Sequence, residues 1–386
     1  MAEERSPVSF LPGDIVVEIL ARLPARSLCA CTCVSRSWHR LITDPANRHR
    51  LAQTLSGFFF AGPRFFAGVC SPTHPLVDPS FSFLPSSYKE IKLLDSCNGL
   101  FLFRCSLTPR PDLGPRLSPL FYVVCNPTTE EWVALPQPSY APGMVFYSDE
   151  ATSDTETTSA ALGFDPAVSS HFHVFQLLEQ EVMCTLFLDA IEIYSSETGK
   201  WVLSKTQLDK WIHSTGSMTY FNGFLHFTID YDSVASVDTT GQTWKITTIV
   251  ADREDPASSD SFDDALAIYA LEDDGKEWVL KQTVSKLDLF GPDNSQDGWD
   301  LDVAGFHPDG DLIIFCDHPR LRLLSYDMNH MLVHVICTLE EVPYNHRPFN
   351  PYVPLYSRAL LATAQKNDNA HEQWIFYYST KKHEDR

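Results

Sequence analysis

The sequence predicts a small all-α unit of three helices followed by a large all-β domain, which we expect to be a β-propeller of six or seven blades. Residues 1–50 repeat their apolar side chains at helical spacing and place prolines where helices end. From Leu51 onward, short aromatic and β-branched runs alternate with Gly, Pro, Asn and Asp, which is typical of all-β domains. A unit of paired strands also recurs in this region. We therefore assign residues 1–50 to a helical domain and 51–386 to a β domain.

The balance of charge argues against two classes of partner. The chain of 386 residues has 29 basic and 50 acidic side chains, a formal net charge of −21. Since nucleic-acid binding depends on clustered Lys and Arg that neutralise phosphates, we expect no nucleic-acid partner. No apolar run reaches the roughly 18 residues needed to cross a bilayer, so we expect no membrane partner either.

The cysteines and the first residues indicate a reducing compartment. The 10 cysteines are scattered, and none forms a Cys-x-x-Cys pair. The opening MAEERSPVSF lacks the basic start and apolar centre of a signal peptide. Because thiols stay reduced inside cells, we expect the protein in the cytoplasm, the nucleus or both.

The stretch LPGDIVVEILARLP predicts the first helix. Pro12 suits a first helical turn, because its missing N–H would have no partner there. Pro24 ends the helix, since a proline restricts the residue before it. At about 100° per residue, the apolar side chains cover about 200° of the circumference, which is twice the stripe of an ordinary surface helix. They are Ile15, Val16, Val17, Ile19, Leu20 and Leu23.

Two more helices are expected before residue 46. Ser27 is suited to capping the second helix, and Ser35 or a neighbour to starting the third. In the third helix Trp38 and Leu41 share one face, and Asp44 with the following proline ends the helix. Three helices of this length make a very small core, and units of that size seldom stand alone. Since the first helix also carries more apolar surface than its own unit can cover, we expect a second polypeptide to cover the remainder.

Three cysteines at alternate positions, in CACTC from Cys29, raise the question of a metal site. On a helix, Cys31 lies about 200° from Cys29 and Cys33, so the three thiols cannot converge on one zinc ion with His39. We expect them to be small apolar fillers between packed helices.

The N-terminal residues resemble the F-box motif, with every spacing kept over about 35 residues. The matching segments are Leu11-Pro12-x-Asp14-Ile15, Glu18-Ile19-Leu20, Leu23-Pro24, Ser27-Leu28, Val34-Ser35-Arg36-Ser37-Trp38 and Leu41-Ile42-x-Asp44-Pro45. The resemblance implies binding to the Skp adaptor of a cullin-type ubiquitin ligase. It implies that the residues of the adaptor interface or its supporting core are Leu11, Pro12, Ile15, Ile19, Leu20, Leu23, Pro24, Leu28, Val34, Trp38 and Leu41.

The β region repeats two kinds of strand pair. One is an apolar pair joined by a turn, as in SCNGLFLF from 96, ALGFDPAVSSHFHVFQL from 161, MTYFNGFLHFTI from 218 and VAGFHPDGDLIIFC from 303. The other is a strand, a polar turn and a strand with Trp, as in YVVCNPTTEEWVALP from 122, IEIYSSETGKWVLS from 191, VASVDTTGQTWKIT from 234 and AIYALEDDGKEWVL from 267. A four-stranded unit of about 40–50 residues predicts a propeller blade.

Together with the F-box, these phrases resemble the F-box-associated β domain, a Kelch-like family abundant in plants. CNPTTEEWVALP and YSSETGKW are the most family-like phrases. Because a propeller ring closes where its ends meet, we expect the strands TLSGFFFAG from 54 and EQWIFYYS from 372 to lie in one blade. The stretch 57–87 is predicted to be a first strand plus an irregular loop.

The tryptophans of the second strand pair admit two interpretations. Trp132, Trp201, Trp244 and Trp278 recur at blade-like spacing, which favours core residues between neighbouring sheets. A set of rings that stacks on a ligand is the alternative.

Signatures of bond-making chemistry are not found in the sequence. Gly-x-Gly-x-x-Gly, the phosphate-binding loop with Lys-Ser/Thr and Gly-x-Ser-x-Gly are all absent. His171 and His173 have a spacing that suits a metal but no evident further ligand, and the carboxylates of 252–264 lack calcium-loop spacing. The Pro-Asp-Gly of 308–310 is typical of a hairpin turn. We therefore expect no catalytic residue, no cofactor and no metal.

The function expected from the two resemblances is substrate recognition in a Skp–cullin–F-box ubiquitin ligase. The F-box would bind the Skp adaptor, and through it cullin, while the β domain would hold an unknown protein substrate. One alternative is a propeller that binds a glycan or small molecule and whose F-box serves only regulation. Another is a propeller hydrolase, which would need a convergent carboxylate or Ser-His set.

Overall fold

A computed structural model describes a helical N-terminal unit and a succession of antiparallel sheets. The residues it describes are 11–23, 25–44, 47, 50–51, 57–60, 66–68, 77–78, 80–107, 120–140, 146–147, 160–182, 185–206, 218–229, 233–248, 265–271, 278–285, 288–289, 301–306, 312–339, 349–355 and 360.

The three predicted helices are present. They are α1 (Gly13–Leu20), α2 (Ala25–Thr32) and α3 (Arg36–Thr43). Pro12 precedes the first turn of α1 with a φ of −55°, which suits the proline ring. Ser35 caps α3 as expected, because its Oγ accepts a hydrogen bond of 3.1 Å from the N–H of Trp38.

The start predicted for the second helix is wrong. Ser27 lies inside α2, which begins two residues earlier at Ala25. Ala25 and Arg26 are both strong helix formers, so the helix extends past the residue that was expected to cap it. Serine is only moderately unfavourable inside a helix, which leaves the extension inexpensive.

The helices enclose a small apolar core. Its buried members are Val16, Val17, Leu20, Leu28, Ile42 and Leu51. Ala21, Leu23, Cys31, Trp38 and Leu41 are partly buried against it. Leu51, the first residue assigned to the β domain, thus packs with the helices, and the boundary between 50 and 51 stays a prediction.

Twenty-two strands follow within the described residues. They are β1 (Gly57–Phe60), β2 (Phe66–Gly68), β3 (Tyr88–Cys97), β4 (Leu100–Leu107), β5 (Leu120–Asn126), β6 (Glu131–Ala134), β7 (Phe146–Tyr147), β8 (Ala160–Gly163), β9 (His173–Val182), β10 (Thr185–Ser195), β11 (Lys200–Lys205), β12 (Met218–Phe221), β13 (Phe224–Ile229), β14 (Ser233–Asp238), β15 (Trp244–Thr248), β16 (Ala265–Leu271), β17 (Trp278–Ser285), β18 (Leu301–Phe306), β19 (Leu312–Asp317), β20 (Arg322–Asp327), β21 (Leu332–Thr338) and β22 (Phe349–Tyr352).

These strands form sheets that follow one another along the chain in the arrangement of a β-propeller. Three sheets have four strands in sequence order, β3-β4-β5-β6, β12-β13-β14-β15 and β18-β19-β20-β21. A fourth contains β8 to β11, and the short β7 pairs with β9 in parallel. Within the described ranges two smaller sheets complete the set, β2-β1-β22 and β16-β17. Four sheets therefore reach blade size, and a total of six or seven blades stays a prediction.

Apolar clusters join most neighbouring sheets, although among the described residues none links β12 to β15 with β16-β17. Phe59 and Tyr352 pack on the sheet of β3 to β6. That sheet packs on the sheet of β8 to β11 through Tyr122 and Tyr194, among others. The innermost strands β18, β22, β3, β8 and β12 also contact their neighbours in this order. The blades thus lie side by side around a common axis, as in a propeller.

The first and the last described strands of the β region pair in one sheet. β1 pairs antiparallel with β22, where Phe58 lies opposite Pro351 and Phe59 opposite Asn350. β1 belongs to the predicted N-terminal strand, but β22 is not the strand that was predicted to share its blade. The proposed partner from residue 372 lies outside the described residues, so its pairing stays a prediction.

Two predicted hairpins turn as their sequences indicate. Asn98-Gly99 joins β3 to β4 with positive φ angles of 48° and 91°, and Asn222-Gly223 joins β12 to β13 with 49° and 80°. Positive φ at both positions is the reason for the Asn-Gly preference in two-residue hairpins. At Gly99 the backbone also approaches Leu355 so closely that an added Cβ would lie 2.5 Å from its side chain.

The tryptophans lie near the start of the outermost strands. Trp201 Nε1 donates to the carbonyl of Pro136 at 2.7 Å, and its ring lies 6.0 Å from that of Tyr122 in the preceding sheet. Trp244 Nε1 donates to Ser204 Oγ of the preceding sheet at 3.2 Å. The prediction of core residues between sheets is confirmed for these two.

Candidate functional site

The most distinctive surface of the helical unit is an apolar stripe on α1. Leu11, Ile15 and Ile19 are 43%, 46% and 44% exposed. Their spacing of four residues places them on one side of the helix, one turn apart. Val16 and Leu20 face the opposite way and are buried in the helical core. The wide apolar arc predicted from the sequence is therefore divided into a buried half and an exposed half.

The residues expected at the adaptor interface or its supporting core divide in the same way. The exposed members are Leu11, Pro12, Ile15, Ile19 and Val34. The members packed in or against the helical core are Leu20, Leu23, Leu28, Trp38 and Leu41. Pro24 lies outside the described residues. The first group is exposed and can contact another protein directly. In the second group Leu20 and Leu28 are buried, whereas Leu23, Trp38 and Leu41 are half-buried and keep part of their surface accessible.

Helix α3 holds the stripe in place from behind. A Cβ built on Gly13 would lie 3.6 Å from Leu41 Cδ2, so α1 approaches α3 closely at its first residue. Trp38 and Leu41 lie on the side of α3 that packs on the helical core. At this distance a residue larger than glycine would still fit at position 13. The packing of α1 on α3 sets the orientation of α1.

Charges lie beside the stripe rather than within it. Glu18 is ion-paired with Arg50, and the two side chains are 53% and 34% exposed. Exposed ion pairs of this kind contribute at most about 1 kcal/mol to stability. Asp14 lies in the first turn of α1, where it favours the positive end of the helix dipole.

The cysteines and histidines do not converge in the described part of the chain. Cys31 is half-buried against the helical core and Cys33 is exposed, while the Cys29 side chain lies outside the described set. No group of three or more His, Cys, Asp or Glu side chains with metal-binding geometry is found among the described residues. Burial, followed by the charge of His171, lowers the pKa of His173 to about 4.

One Ser–His pair occurs in the middle of a blade. His226 Nδ1 lies 2.7 Å from Ser236 Oγ, and Nε2 lies 3.3 Å from the carbonyl of Phe221. The carbonyl can only accept, so Nε2 carries the proton and the serine hydroxyl donates to Nδ1. The two side chains are directly opposite on β13 and β14, which is the arrangement of a cross-strand pair within a sheet. Sequence reasoning did not identify this pair, because ten residues separate its members.

Comparisons with protein families match both parts of the chain. A family described as F-box-like matches residues 8–54. A second family, described as the β-propeller of F-box protein At3g26010-like, matches residues 79–241. The first match covers the helices that carry the stripe, and the second covers the sheets of β3 to β6 and β8 to β11 together with β12 to β14.

Curated relatives come from Arabidopsis thaliana. F-box protein At5g07610 is 28% identical over 204 residues, which are 49% of this chain and 44% of that protein. Putative F-box protein At1g47730 is 34% identical over 27% of this chain and 26% of that protein. F-box protein At5g49610 is 25% identical over 57% of this chain and 58% of that protein. The matches thus extend over 26% to 58% of each relative's length.

Solved structures are similar only at a low level. A chain of a nidogen/laminin complex covers 79% of this chain and 97% of its own length, with a TM-score of 0.35 and 11% identity. A chain of a mitotic checkpoint complex covers 73% of this chain and 67% of its own length, with a TM-score of 0.32 and 11% identity.

The three-helix unit with its exposed apolar stripe and the β-propeller that follows it match, in this order, an F-box-like family and a β-propeller family of F-box proteins. This chain carries an F-box-like domain and a β-propeller of the F-box protein At3g26010-like kind, and its relatives are plant F-box proteins. The Kelch-like character of the β domain stays a prediction.

Proposed function

We propose that the chain is the substrate-recognition subunit of a Skp–cullin–F-box ubiquitin ligase. Its F-box-like helices bind the Skp adaptor, and through the adaptor cullin. Its propeller holds a target protein near the ubiquitin-charged enzyme, which raises the effective concentration of the target. The chain itself makes or breaks no bond, and it works in the cytoplasm, the nucleus or both.

The exposed stripe of Leu11, Ile15 and Ile19 carries this proposal. Each of these side chains is more than two-fifths exposed, although a unit of this size buries a small fraction of its surface and is only marginally stable by itself. Covering apolar area releases about 25 cal/mol per Å², from which the costs of association are subtracted. Binding of a partner helix or groove that covers the stripe is therefore favourable, because it removes from water apolar surface that the isolated chain leaves exposed.

The propeller supplies the rigid platform for a target. Its blades are joined by apolar clusters and by hydrogen bonds between innermost strands. Asp95 Oδ2 accepts from the N–H of Leu162 in the next blade, and Ser96 Oγ donates to the carbonyl of Pro351 in the previous one. We further propose a ring of six blades, in which the smaller sheets β2-β1-β22 and β16-β17 each occupy one position.

Capture of purified components tests this function. The full chain is immobilised and exposed to a purified Skp adaptor, alone and in complex with cullin. A stable complex of one chain with one adaptor, which then retains cullin, is the expected result. Failure to retain the adaptor at micromolar concentration would contradict the proposal.

A further inference from the structure

The chain continues past β22 and is anchored between two further sheets. Val353, Pro354 and Leu355 follow β22 without being part of a strand. Because a proline disfavours helical backbone in the residue before it, Pro354 keeps the chain from turning into a helix here. Leu355 and Leu360 are both fully buried in the apolar cluster between the sheet of β3 to β6 and the sheet of β8 to β11.

The turn after β5 holds the backbone of Leu355 by both of its polar groups. Asn126 Nδ2 donates to the carbonyl of Leu355 at 2.9 Å, and the N–H of Leu355 donates to Thr128 Oγ1 at 3.2 Å. The N–H of Thr128 donates in turn to Asn126 Oδ1 at 3.0 Å, which orients the amide. Asn126 is fully buried, and a buried amide is costly unless it is hydrogen-bonded. The bond to Leu355 therefore stabilises the turn as well as the segment.

The corresponding turn of the next sheet holds a residue of its own sheet. The phrases CNPTTEEW from 125 and YSSETGKW from 194 both lead into an outer strand that carries Trp. In the second phrase, the N–H of Ser196 donates to the carbonyl of Phe172 at 3.0 Å, and Ser196 Oγ accepts from the N–H of Phe172 at 2.8 Å. Phe172 is buried in the same apolar cluster as Leu355. Each turn thus binds both backbone groups of one buried apolar residue.

The two sheets differ in the origin of that residue. Phe172 ends the loop 164–172 between β8 and β9, whereas only Asn98 and Gly99 join β3 to β4. So short a turn cannot supply an apolar residue to the turn after β5. Leu355, which lies more than 200 positions further along the chain, takes that place.

Gly99 leaves the room that this segment needs. A Cβ added at Gly99 would lie 2.5 Å from Leu355 Cβ and 2.6 Å from the carbonyl oxygen of Val353. Both distances are shorter than two such atoms tolerate, so any larger residue at position 99 would displace the segment or the turn.

The end of β22 is tied to the same region. Tyr352, the last residue of β22, lies opposite Gly57 of β1, and its Oη lies 2.5 Å from Thr128 Oγ1. Ser96 Oγ donates to the carbonyl of Pro351 at 2.7 Å. Since the ends of paired elements open most easily, contacts at this end of β22 determine how readily β22 separates from β1.

We propose that residues 353–355 together with Leu360 form a clasp that locks the pairing of β1 with β22, and that Asn126, Thr128 and Gly99 are its receptor. The clasp fastens the sheet of the first and last described strands to the two sheets that follow it. Its release lets the pair β1–β22 open while the other sheets stay folded. The inference goes beyond the proposed function, since it concerns how the β domain is held together and not what it binds.

Amide hydrogen exchange of residues 57–60 and 349–352 in the full chain measures the opening of this pair. Leu360→Ala removes one anchor of the clasp. Leu225→Ala is the matched control, because Leu225 is equally buried but lies in the cluster between the sheets β8 to β11 and β12 to β15. We expect Leu360→Ala to speed exchange of these amides at least about 10-fold more than Leu225→Ala does. Equal acceleration in the two variants would overturn the proposal.

A pair of glycine variants tests the clasp from the side of its receptor, even where Leu360→Ala fails to fold. Gly99→Ala pushes against the segment, whereas Gly223→Ala has similar strain from a positive φ but meets nothing within 4 Å. We expect Gly99→Ala to speed exchange of 57–60 and 349–352 at least about 10-fold more than Gly223→Ala does. Acceleration confined to β3 and β4, or equal in every sheet, would overturn the proposal, because the pair β1–β22 would then not open separately.

Discussion

Ile19 and Leu20 are neighbours on α1, yet Leu20 is fully buried while Ile19 is 44% exposed. The two side chains differ by about 100° around the helix, which is enough to place one in the core and the other on the surface. Adjacent positions on α1 thus hold Leu20, which stabilises the F-box-like unit, and Ile19, which is exposed to a partner.

The stability of the helical unit should therefore depend on Leu20 and not on Ile19. Leu20→Ala should destabilise the unit by about 2–5 kcal/mol, because a fully buried leucine leaves a cavity. Ile19→Ala should change stability by less than about 1 kcal/mol, since the side chain is already half in water. Hydrogen exchange of the backbone amides of α1 to α3 measures the stability change in both variants. Equal loss of protection in the two variants would show that α1 packs differently.

Two glycines in similar turns should respond differently to alanine. Gly99 and Gly223 both have positive φ, at 91° and 80°, so alanine is strained by about 1–2 kcal/mol at each. Only at Gly99 would the new Cβ meet neighbours, Leu355 at 2.5 Å and the Val353 carbonyl at 2.6 Å. Gly99→Ala should thus cost about 1–3 kcal/mol more than Gly223→Ala. Urea unfolding compares the stabilities of the two variants. Equal unfolding midpoints would argue against the close approach of residues 353–355 to the turn at Gly99.

The buried imidazole of His173 should make stability depend on pH. Burial, then the charge of His171, lowers its pKa from 6.5 to about 4, so folding opposes protonation. The stabilising contribution of the neutral ring is complete above pH 6.5 and is lost as the pH falls from there through 4. At about 1.4 kcal/mol per pKa unit, the loss amounts to at most about 3.5 kcal/mol.

A variant without the titrating ring tests this pH dependence. The unfolding free energy of His173→Gln should fall less between pH 7 and pH 4.5 than that of the wild type. His334→Gln, at an exposed position of β21, is the control and should keep the wild-type slope. If His173→Gln kept the wild-type slope as well, His173 would not be the group responsible.

The sequence predicted the blade hairpins well, because their signals are local. Asn98-Gly99 and Asn222-Gly223 have positive φ, and the Trp at the start of β6, β11, β15 and β17 follows a polar turn in the sequence. The residues that make up each of these signals lie within a few positions of one another in the sequence. The β1–β22 pairing was only partly predictable. β22 contains Pro351, which argues against a strand, but β22 ends its sheet and has an edge where a missing N–H needs no partner.

The sequence located the candidate site on the first helix, but it did not show which of the apolar side chains there are buried and which are exposed. Ile15, Val16, Val17, Ile19 and Leu20 are similar in hydrophobicity, so their pattern shows only that the apolar arc is wide. Which half is buried depends on where α3 packs, and that contact involves Leu41, more than 20 residues away.

The affinity of the chain for a purified Skp adaptor tests the central claim most directly. It is measured by calorimetry for the wild type, for I15D I19D, and for V202D, which places one charge on an equally exposed valine of β11. Two carboxylates in the stripe would be desolvated by the partner, so we expect I15D I19D to bind at least about 100-fold more weakly. V202D should bind like the wild type, and hydrogen exchange should show α1 to α3 intact in both variants. Undiminished binding by I15D I19D would contradict the role of the stripe.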